Sequence, residues 1–397
     1  MAQPDPAGAN ANAKGEAPLR LRMQAGLRSA LPSLLSVALS LLVCFIAIAI
    51  TRGDVGIAWD AYGQMLQGGL GDVGGFFESG SWGLLTRPWG ESTTRAALLA
   101  LTGLSVAVGF SAGLFNIGAQ GQMIVGALLA AIVGAQFALP AGLHPLVALL
   151  AAAVGGGLYA LIPAALKLRR GVHEVISTIM LNWIAVSLVE NWLVTGPLRA
   201  RAEGTLSISG TDQIHETAQL PRVLGDLSRL HAGFFLALLC GVLVWLWLSR
   251  TRGGFETRAV GLGREAARTA GIPVERRTYE AMGIAGALAG LAGGVLVLGT
   301  EYRFPATFGS AYGFDGIAIA LIGQNHPLGV LGAALGFGIL RAGGTRMQLL
   351  DVHKSFPELI QGLALLFVAG RLVWEHLLRT RTRTRHSAPP QVEVPRA

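Results

Sequence analysis

The chain has 397 residues, of which 52% are hydrophobic and only 14% are charged. Its mean hydropathy of +0.53 and its scarcity of charge exclude a soluble globule, because ordinary soluble domains carry about 25% charged residues. The net charge of +8 does not indicate nucleic-acid binding, since the basic residues lie at the ends of apolar segments and not along one face. These features predict an all-α, polytopic transmembrane helical bundle that contacts lipid.

The apolar runs predict about ten membrane helices, some of them short or broken by glycine. Residues 1–29 are polar and are expected to be disordered, and Leu31–Ile50 forms the first span. No Asp, Glu, Lys or Arg lies between Arg95 and Lys167, which leaves room for three crossings of about 20 residues each. The two turns within this stretch are expected at Gly109–Gly113 and Leu139–Pro145. The later spans are expected at Val172–Val194, His231–Ser249, Tyr279–Gly299, Tyr312–Gln324, Pro327–Gly344 and Phe356–Trp374.

The positions of the arginines predict the orientation, because cytoplasmic loops carry the excess of Lys and Arg. With a cytoplasmic N-terminus and an even number of spans, residues 250–278, which hold seven arginines, face the cytoplasm. The basic tail, residues 379–397, is then cytoplasmic too, and the loops 51–94 and 196–230 face the opposite side of the membrane. We therefore expect a multi-pass transmembrane domain over residues 30–378.

Three groups of polar residues interrupt the apolar runs, where such residues usually face a cavity or the bundle interior. They lie in LFNIGAQGQ (Leu114–Gln122), HEVISTIMLNW (His173–Trp183) and GFDGIAIALIGQNHP (Gly313–Pro327). The candidates for lining a solute pathway are Asn116, Gln120, Gln122, Asn182, Trp183, Asp315 and Asn325. For any one of them, a bridge between helices or simple packing is an equal alternative. No His, Asp and Glu set has the spacing of metal ligands, so no metal site is predicted.

The chain carries neither a G-x-x-x-x-G-K-[ST] phosphate loop nor an H-E-x-x-H helix. Its match to G-x-S-x-G, GFSAG at Gly109–Gly113, lies between two predicted membrane helices and not at the strand-to-helix turn that a nucleophile elbow requires. We therefore expect no catalytic residue and no cofactor in this chain, and any ATP must be hydrolysed by another subunit.

The arginine-rich segment of residues 250–278, which we call the coupling segment, contains the short stretch REAARTAGI. Alanines in a short helix allow a partner to approach closely, and the charged residues can form the rim of the contact. Such a helix can pass a rigid-body motion to the spans attached to it; a solvated charged loop is the equal alternative. The candidate coupling residues are Gly261, Arg264, Glu265, Ala266, Ala267 and Gly271, and Gly271 is expected to end the helix.

Five stretches resemble the permeases of bacterial ABC importers, in the branch for ribose, branched-chain amino acids and nucleosides. They are GLGREAARTAGIPVERRTYEAMGIAGALAGLAGG, LFNIGAQGQ, EVISTIMLNW, GFDGIAIALIGQNHPLG and FPELIQGLALLFVAG. EVISTIMLNW is most similar to nucleoside-type permeases that are linked to a basic membrane lipoprotein. The resemblance runs from about Leu98 to Val373. It departs from the usual motif at Gln120, where an acid is common, and at His173, where Asn is common.

The resemblance implies transport by alternating access. A separate ATPase subunit would bind ATP and Mg and rest on the coupling segment. A second permease subunit, expected to be a paralogue, would complete the pathway for nucleosides, and a periplasmic binding protein or lipoprotein would deliver them. One alternative keeps this machinery and carries ribose or another simple sugar. An alternative of another class is a stand-alone secondary transporter, which should carry ion-coupling acids at mid-membrane, where Asp315 is the one candidate.

Overall fold

A computed structural model describes residues 19–200, 210–305, 308, 311–353 and 355–383. In residues 19–30, 226 and 371–383 the backbone alone is described. Within these ranges the chain forms fourteen α-helices and no β-strand, which confirms the all-α prediction. The helices are α1 (Leu19–Arg52), α2 (Val55–Leu70), α3 (Val73–Ser79), α4 (Gly83–Ser111), α5 (Ala119–Gln136), α6 (Leu143–Arg170), α7 (Glu174–Ala185), α8 (Ala232–Arg250), α9 (Arg252–Leu262), α10 (Arg264–Thr269), α11 (Val274–Leu296), α12 (Tyr312–Ile322), α13 (Pro327–Met347) and α14 (Phe356–Arg383).

Within the described residues, eight helices are long and apolar enough to cross a membrane. Two of them continue as π-helix, α7 through Val186–Val194 and α11 through Val297–Glu301. Two shorter apolar helices, Tyr312–Ile322 and Phe356–Gly370, lie within the predicted spans Tyr312–Gln324 and Phe356–Trp374. The uncharged stretch after Arg95 forms α4, α5 and α6, as the run lengths predict, so the chain is a multi-pass helical bundle.

Two predicted boundaries fall within helices. Helix α1 begins at Leu19, inside the segment expected to be disordered, and α14 continues to Arg383, inside the expected tail. Residues 1–18 and 384–397, which make up the rest of those two segments, lie outside the described residues.

The prediction that residues 51–94 form a loop is wrong, because this segment contains α2, α3 and the first turns of α4. Helix α2 buries a face of small and apolar residues that recur every three or four positions, including Ala58, Ala61 and Met65. Gly68 and Gly69 of the same helix pack closely on α13. The polar residues between them made this stretch resemble a loop, whereas the apolar spacing is that of a half-buried helix.

Glycines hold the centre of the bundle together. A Cβ atom added to Gly290 would overlap the carbonyl oxygen of Ala152. A Cβ atom added to Gly126 would overlap the backbone of Gly290. Gly156 and Gly286 also meet backbone to backbone. Small residues at this spacing allow close approach of membrane helices. The glycines that recur every fourth residue in α11 therefore serve packing of α5, α6 and α11.

Two non-helical segments lie inside the bundle, where backbone outside helices is tolerated only if protein or a water-filled cavity surrounds it. One is the turn between α4 and α5, and the other includes the buried residues Phe304 and Phe308, which precede α12. Gly313 packs on the backbone of Gln120, and Gly316 packs on that of Thr102 in the middle of α4. Helix α12 therefore begins inside the bundle and crosses only part of it.

Candidate functional site

The coupling segment forms two short helices, α9 and α10, between the spans α8 and α11. The Thr251 side chain caps α9 by accepting a hydrogen bond from the Gly254 N–H at 3.1 Å. Gly271 ends α10 with φ of +78°, and the Ile272 N–H donates to the Ala267 carbonyl at 3.0 Å. This is the αL termination that favours glycine, so the prediction that Gly271 ends the helix is confirmed.

One side of this segment is anchored to the bundle. Gly261 lies against the backbone of Ser111 and Gly113, where an added Cβ would overlap the Ser111 carbonyl oxygen. Ala267 is buried with Val260 and Val274 in a small apolar cluster. The half-buried Arg264 donates a hydrogen bond of 3.3 Å to the Thr278 hydroxyl. Gly261, Arg264, Ala267 and Gly271 therefore fix the shape and position of the segment.

The other side of the segment is exposed. Glu265 has a side chain that is 85% exposed and pairs with Arg268 at 3.5 Å, and Ala266 is exposed beside it. Leu262, which is 92% exposed, and Phe255 also lie on this side. Neither was among the coupling residues predicted from the sequence. The signal for both was an apolar residue among glycines and arginines. The exposed residues form a surface of an aliphatic tip with a charged rim, which suits contact with a protein.

An ion-pair group around the buried Glu256 joins α9 to α11. Glu256 accepts hydrogen bonds from the guanidinium of Arg252 at 2.6 Å and from that of Arg277 at 2.7 Å. These bonds hold the pKa of the Glu256 carboxylate below its usual range. Arg277 also pairs with Glu280 on its own helix. The group fixes the angle between the coupling segment and the span that follows it.

The first two polar groups meet at the turn between α4 and α5. The Asn116 and Gln122 side chains donate to each other at 2.9 Å in both directions, and Asn116 also donates to the Ser105 hydroxyl. Asn182 of α7 accepts from the Gly121 N–H at 2.8 Å and donates to the Ile117 carbonyl at 2.9 Å. The polar atoms of these buried amides are thus used to hold the broken backbone.

Gln120 connects this turn to the third group. Its side-chain oxygen accepts a hydrogen bond of 2.9 Å from the Gly313 N–H, next to the start of α12. Two residues further on, Asp315 pairs with Arg341 of α13 at 2.8 Å and accepts from the Gln361 amide at 3.2 Å. The Arg341 guanidinium lies 5.6 Å from the centre of the Tyr312 ring. The first turn of α12 is therefore tied to α5, α13 and α14.

Two candidate pathway residues lie apart from this arrangement. Trp183 is 66% exposed on the outer surface of the protomer, whereas the preceding residue Asn182 is buried. It lines a shallow apolar groove with Met180, Ile184 and Trp192. Asn325 lies at the other end of α12 from Asp315, in the turn to α13, with φ of +55°. Its N–H donates to the Ala320 carbonyl at 2.7 Å.

No group of three or more His, Cys, Asp or Glu residues in the described part of the chain is arranged to hold a metal ion. The two cysteines, Cys44 and Cys240, are free and buried. The site of interest is therefore a set of helix contacts that runs from the coupling segment to the half-helix α12.

A bundle of membrane helices with broken helices inside it, and with a small exposed helical segment anchored to its core, is typical of a transport permease. The chain belongs to the family described as branched-chain amino acid transport system / permease component, whose model matches residues 90–369. It is a transport subunit, and as an ABC transporter permease it works with an ATPase and a solute-binding protein.

Relatives with assigned solutes match over most of their length. The guanosine ABC transporter permease protein NupP of Bacillus subtilis is 40% identical over 71% of this chain and 80% of its own. The glucose ABC transporter permease protein TsgB13 of Haloferax volcanii is 36% identical over 70% and 75%. The nucleoside ABC transporter permease protein NupB of Lactococcus lactis is 32% identical over 74% and 82%. No solved structure matches the chain significantly.

Proposed function

We propose that the chain forms the solute pathway of a bacterial nucleoside importer and that its coupling segment docks on the ATPase subunit in the cytoplasm. ATP and Mg bind to that subunit, and this chain holds no cofactor of its own. A second permease subunit, a paralogue of this chain, completes the pathway. A periplasmic binding protein or lipoprotein delivers the solute on the opposite side of the inner membrane, near residues 196–230.

The observation that carries this proposal is the division of the coupling segment into an anchored side and an exposed side. Because Gly261 of α9 touches the α4–α5 turn at Gly113 without any intervening side chain, a displacement of α9 reaches that turn directly. From the turn, Gln120 reaches α12 through the Gly313 N–H. Rigid elements joined in this way can convert a small shift at one end into a rearrangement at the other.

Support for the solute comes from the relatives. The printed names of NupP and NupB specify guanosine and nucleosides, and the identity to NupP extends over 287 residues. The second candidate function is import of glucose or another simple sugar, which the 36% identity to TsgB13 supports. Gln120 and Asp315 remain the pathway candidates of choice, since Gln120 contacts the first turn of α12 from α5 and Asp315 belongs to that turn. The geometry gives Asn116, Gln122 and Asn182 a holding role.

The coupling role is tested by charge reversal on the exposed side. Glu265→Arg, alone and combined with Leu262→Asp, should lower co-purification of the ATPase subunit and solute uptake together, while the permease stays in the membrane. The control is Glu78→Arg, the same change at an exposed glutamate of α3, which should change neither. Normal ATPase association in the Glu265 and Leu262 variants would contradict the docking role.

The solute is tested by uptake of radiolabelled guanosine in a strain that lacks its own nucleoside and sugar importers and expresses the complete transporter. Unlabelled nucleosides should compete strongly, and glucose, ribose and leucine should not. Competition by glucose or ribose alone would replace the nucleoside proposal by the sugar alternative.

A further inference from the structure

A carboxylate that the polar clusters did not include lies inside the bundle. Glu190 belongs to VSLVENWLV, the π-helical continuation of α7, and only 6% of the residue is exposed. It lies on the same buried side of this span as Thr178 and Asn182, whereas Trp183 and Trp192 are exposed on the other side. A functional role of Glu190 was hard to predict, because Glu190 is a single acid in an apolar stretch.

The described residues offer Glu190 no cation. Its carboxylate accepts a hydrogen bond from the backbone N–H of Phe308, and no Lys, Arg or His within the described ranges forms an ion pair with it. The ring of Phe308 stacks on that of Phe304 at 5.3 Å, so the surroundings are apolar. Intramembrane acids are costly and almost always face a cavity or take part in a solute or ion pathway.

Two features of the backbone accompany this carboxylate. The helix that carries it is a π-helix, a form that is rare and frequent at functional sites. The partner Phe308 is a buried, non-helical residue before α12, and irregular backbone at membrane depth is tolerated where it is buried in protein or lines a cavity. A cleft of about 180 Å³ lies beyond this region, between the end of α5 (Ala131–Gln136), the residues that follow the π-helix (Pro197–Arg199) and Thr211.

We infer that Glu190 is a solute-contacting residue of the pathway, and that its carboxylate accepts hydrogen bonds from neighbouring hydroxyls of a neutral sugar ring. This inference rests on the proposed function, because nucleosides and simple sugars share such hydroxyls. A hydroxyl donor to a carboxylate makes a short, strong hydrogen bond, and a neutral solute leaves the charge of Glu190 unchanged as it passes. The bond to Phe308 places the carboxylate and leaves acceptor sites on its oxygens, since a carboxylate has about four.

The test measures maximal uptake rates of the complete transporter in cells, because the binding protein is then the same for every variant and saturating solute removes its affinity from the comparison. Glu190→Gln keeps an oxygen for the Phe308 N–H and removes the charge. Glu301→Gln is the matched control at an exposed glutamate of the other π-helix. Solutes are guanosine and 2′-deoxyguanosine, and, for the sugar alternative, glucose and 2-deoxyglucose.

Glu190→Gln should lower the maximal rate for guanosine about tenfold or more, because hydrogen bonds to charged groups are the strong ones. The loss for 2′-deoxyguanosine should be smaller, since one hydroxyl is already absent. Membrane content and thermal midpoint should equal those of the wild type, and Glu301→Gln should transport normally.

Three results would overturn the inference. They are a normal guanosine rate in Glu190→Gln, an equal loss for the ribo- and deoxynucleoside, or loss of folded Glu190→Gln from the membrane, which would make Glu190 a purely structural residue. Failure of the proposed function itself appears in the wild type, as absence of both nucleoside and sugar uptake. If the wild type takes up only sugar, the inference is tested in the same way: Glu190→Gln should lower the maximal rate more for glucose than for 2-deoxyglucose.

Discussion

At the scale of single residues, buried side-chain amides of this permease form the hydrogen bonds that water forms with exposed backbone groups in other proteins. The turn between α4 and α5 exposes backbone groups inside the membrane, where an unpaired N–H or C=O is costly. Asn182 satisfies one of each, the Gly121 N–H and the Ile117 carbonyl. Asn182, a predicted pathway residue, thus makes its hydrogen bonds to the backbone of its own chain.

Asn182→Ala should destabilise the protein, because it leaves these two backbone groups without a partner. Each buried unsatisfied group costs about 1–3 kcal/mol, so the thermal midpoint of the purified permease in detergent should fall by several degrees. The control is Asn191→Ala, which removes an exposed amide from the same span. Equal midpoints for the two variants would contradict the holding role of Asn182.

His231 gives stability a pH dependence. It precedes the span α8, where its Nδ1 accepts from the Gly233 N–H at 3.1 Å, and burial followed by the charge of Arg222 lowers its pKa from 6.5 to about 4. Between pH 6.5 and about 4, His231 therefore binds a proton in the unfolded chain but not in the folded chain. The contribution of the neutral His231 to stability is complete above pH 6.5 and is lost as the pH falls towards 4.

We expect the thermal midpoint of the wild type to fall more between pH 7.5 and pH 5 than that of His231→Asn, whose amide oxygen can still accept from Gly233. His353→Asn, at an exposed histidine, should behave like the wild type. If His231→Asn were as sensitive to acid as the wild type, this residue would not be the source of the pH dependence.

At the scale of elements, the long spans were predictable because a helix in lipid must be apolar over a fixed length. The helices that were not fully predicted from the sequence lack this length of apolar residues. Helix α2 is covered on one side only, and α12 is too short to cross and begins inside the bundle. The exposed side of α10 could not be predicted either, because Ala266 and Ala267 are residues of the same type. Packing of Ala267 against Val260 and Val274 determines which of the two is buried.

The crossing of α6 and α11 should not tolerate a methyl group. Gly290→Ala would push α11 away from the Ala152 carbonyl oxygen and from Gly156, and overpacking of this kind costs about 1–3 kcal/mol. Gly336→Ala is the control, because no atom lies within 4 Å of its added Cβ. A lower thermal midpoint is expected for Gly290→Ala alone, and equal stability of the two variants would refute the close crossing.

At the scale of the whole molecule, one row of contacts joins the coupling segment to the interior. Gly261 meets Gly113, the turn after Gly113 is held by Asn182, and Gln120 meets Gly313 at the start of α12. Each contact involves backbone or a buried side chain, so a movement of the coupling segment cannot be absorbed by flexible side chains. Such a row can serve an ATPase only if the segment faces the cytoplasm.

The orientation of the coupling segment is therefore the most direct measurement. Thr269→Cys places a thiol on its exposed side, and Thr195→Cys places one at the exposed residue that follows the π-helical continuation of α7; the native Cys44 and Cys240 are buried. A membrane-impermeant maleimide should label Thr195→Cys in intact cells and Thr269→Cys only after the cells are permeabilised. Labelling of Thr269→Cys in intact cells would contradict docking on a cytoplasmic ATPase.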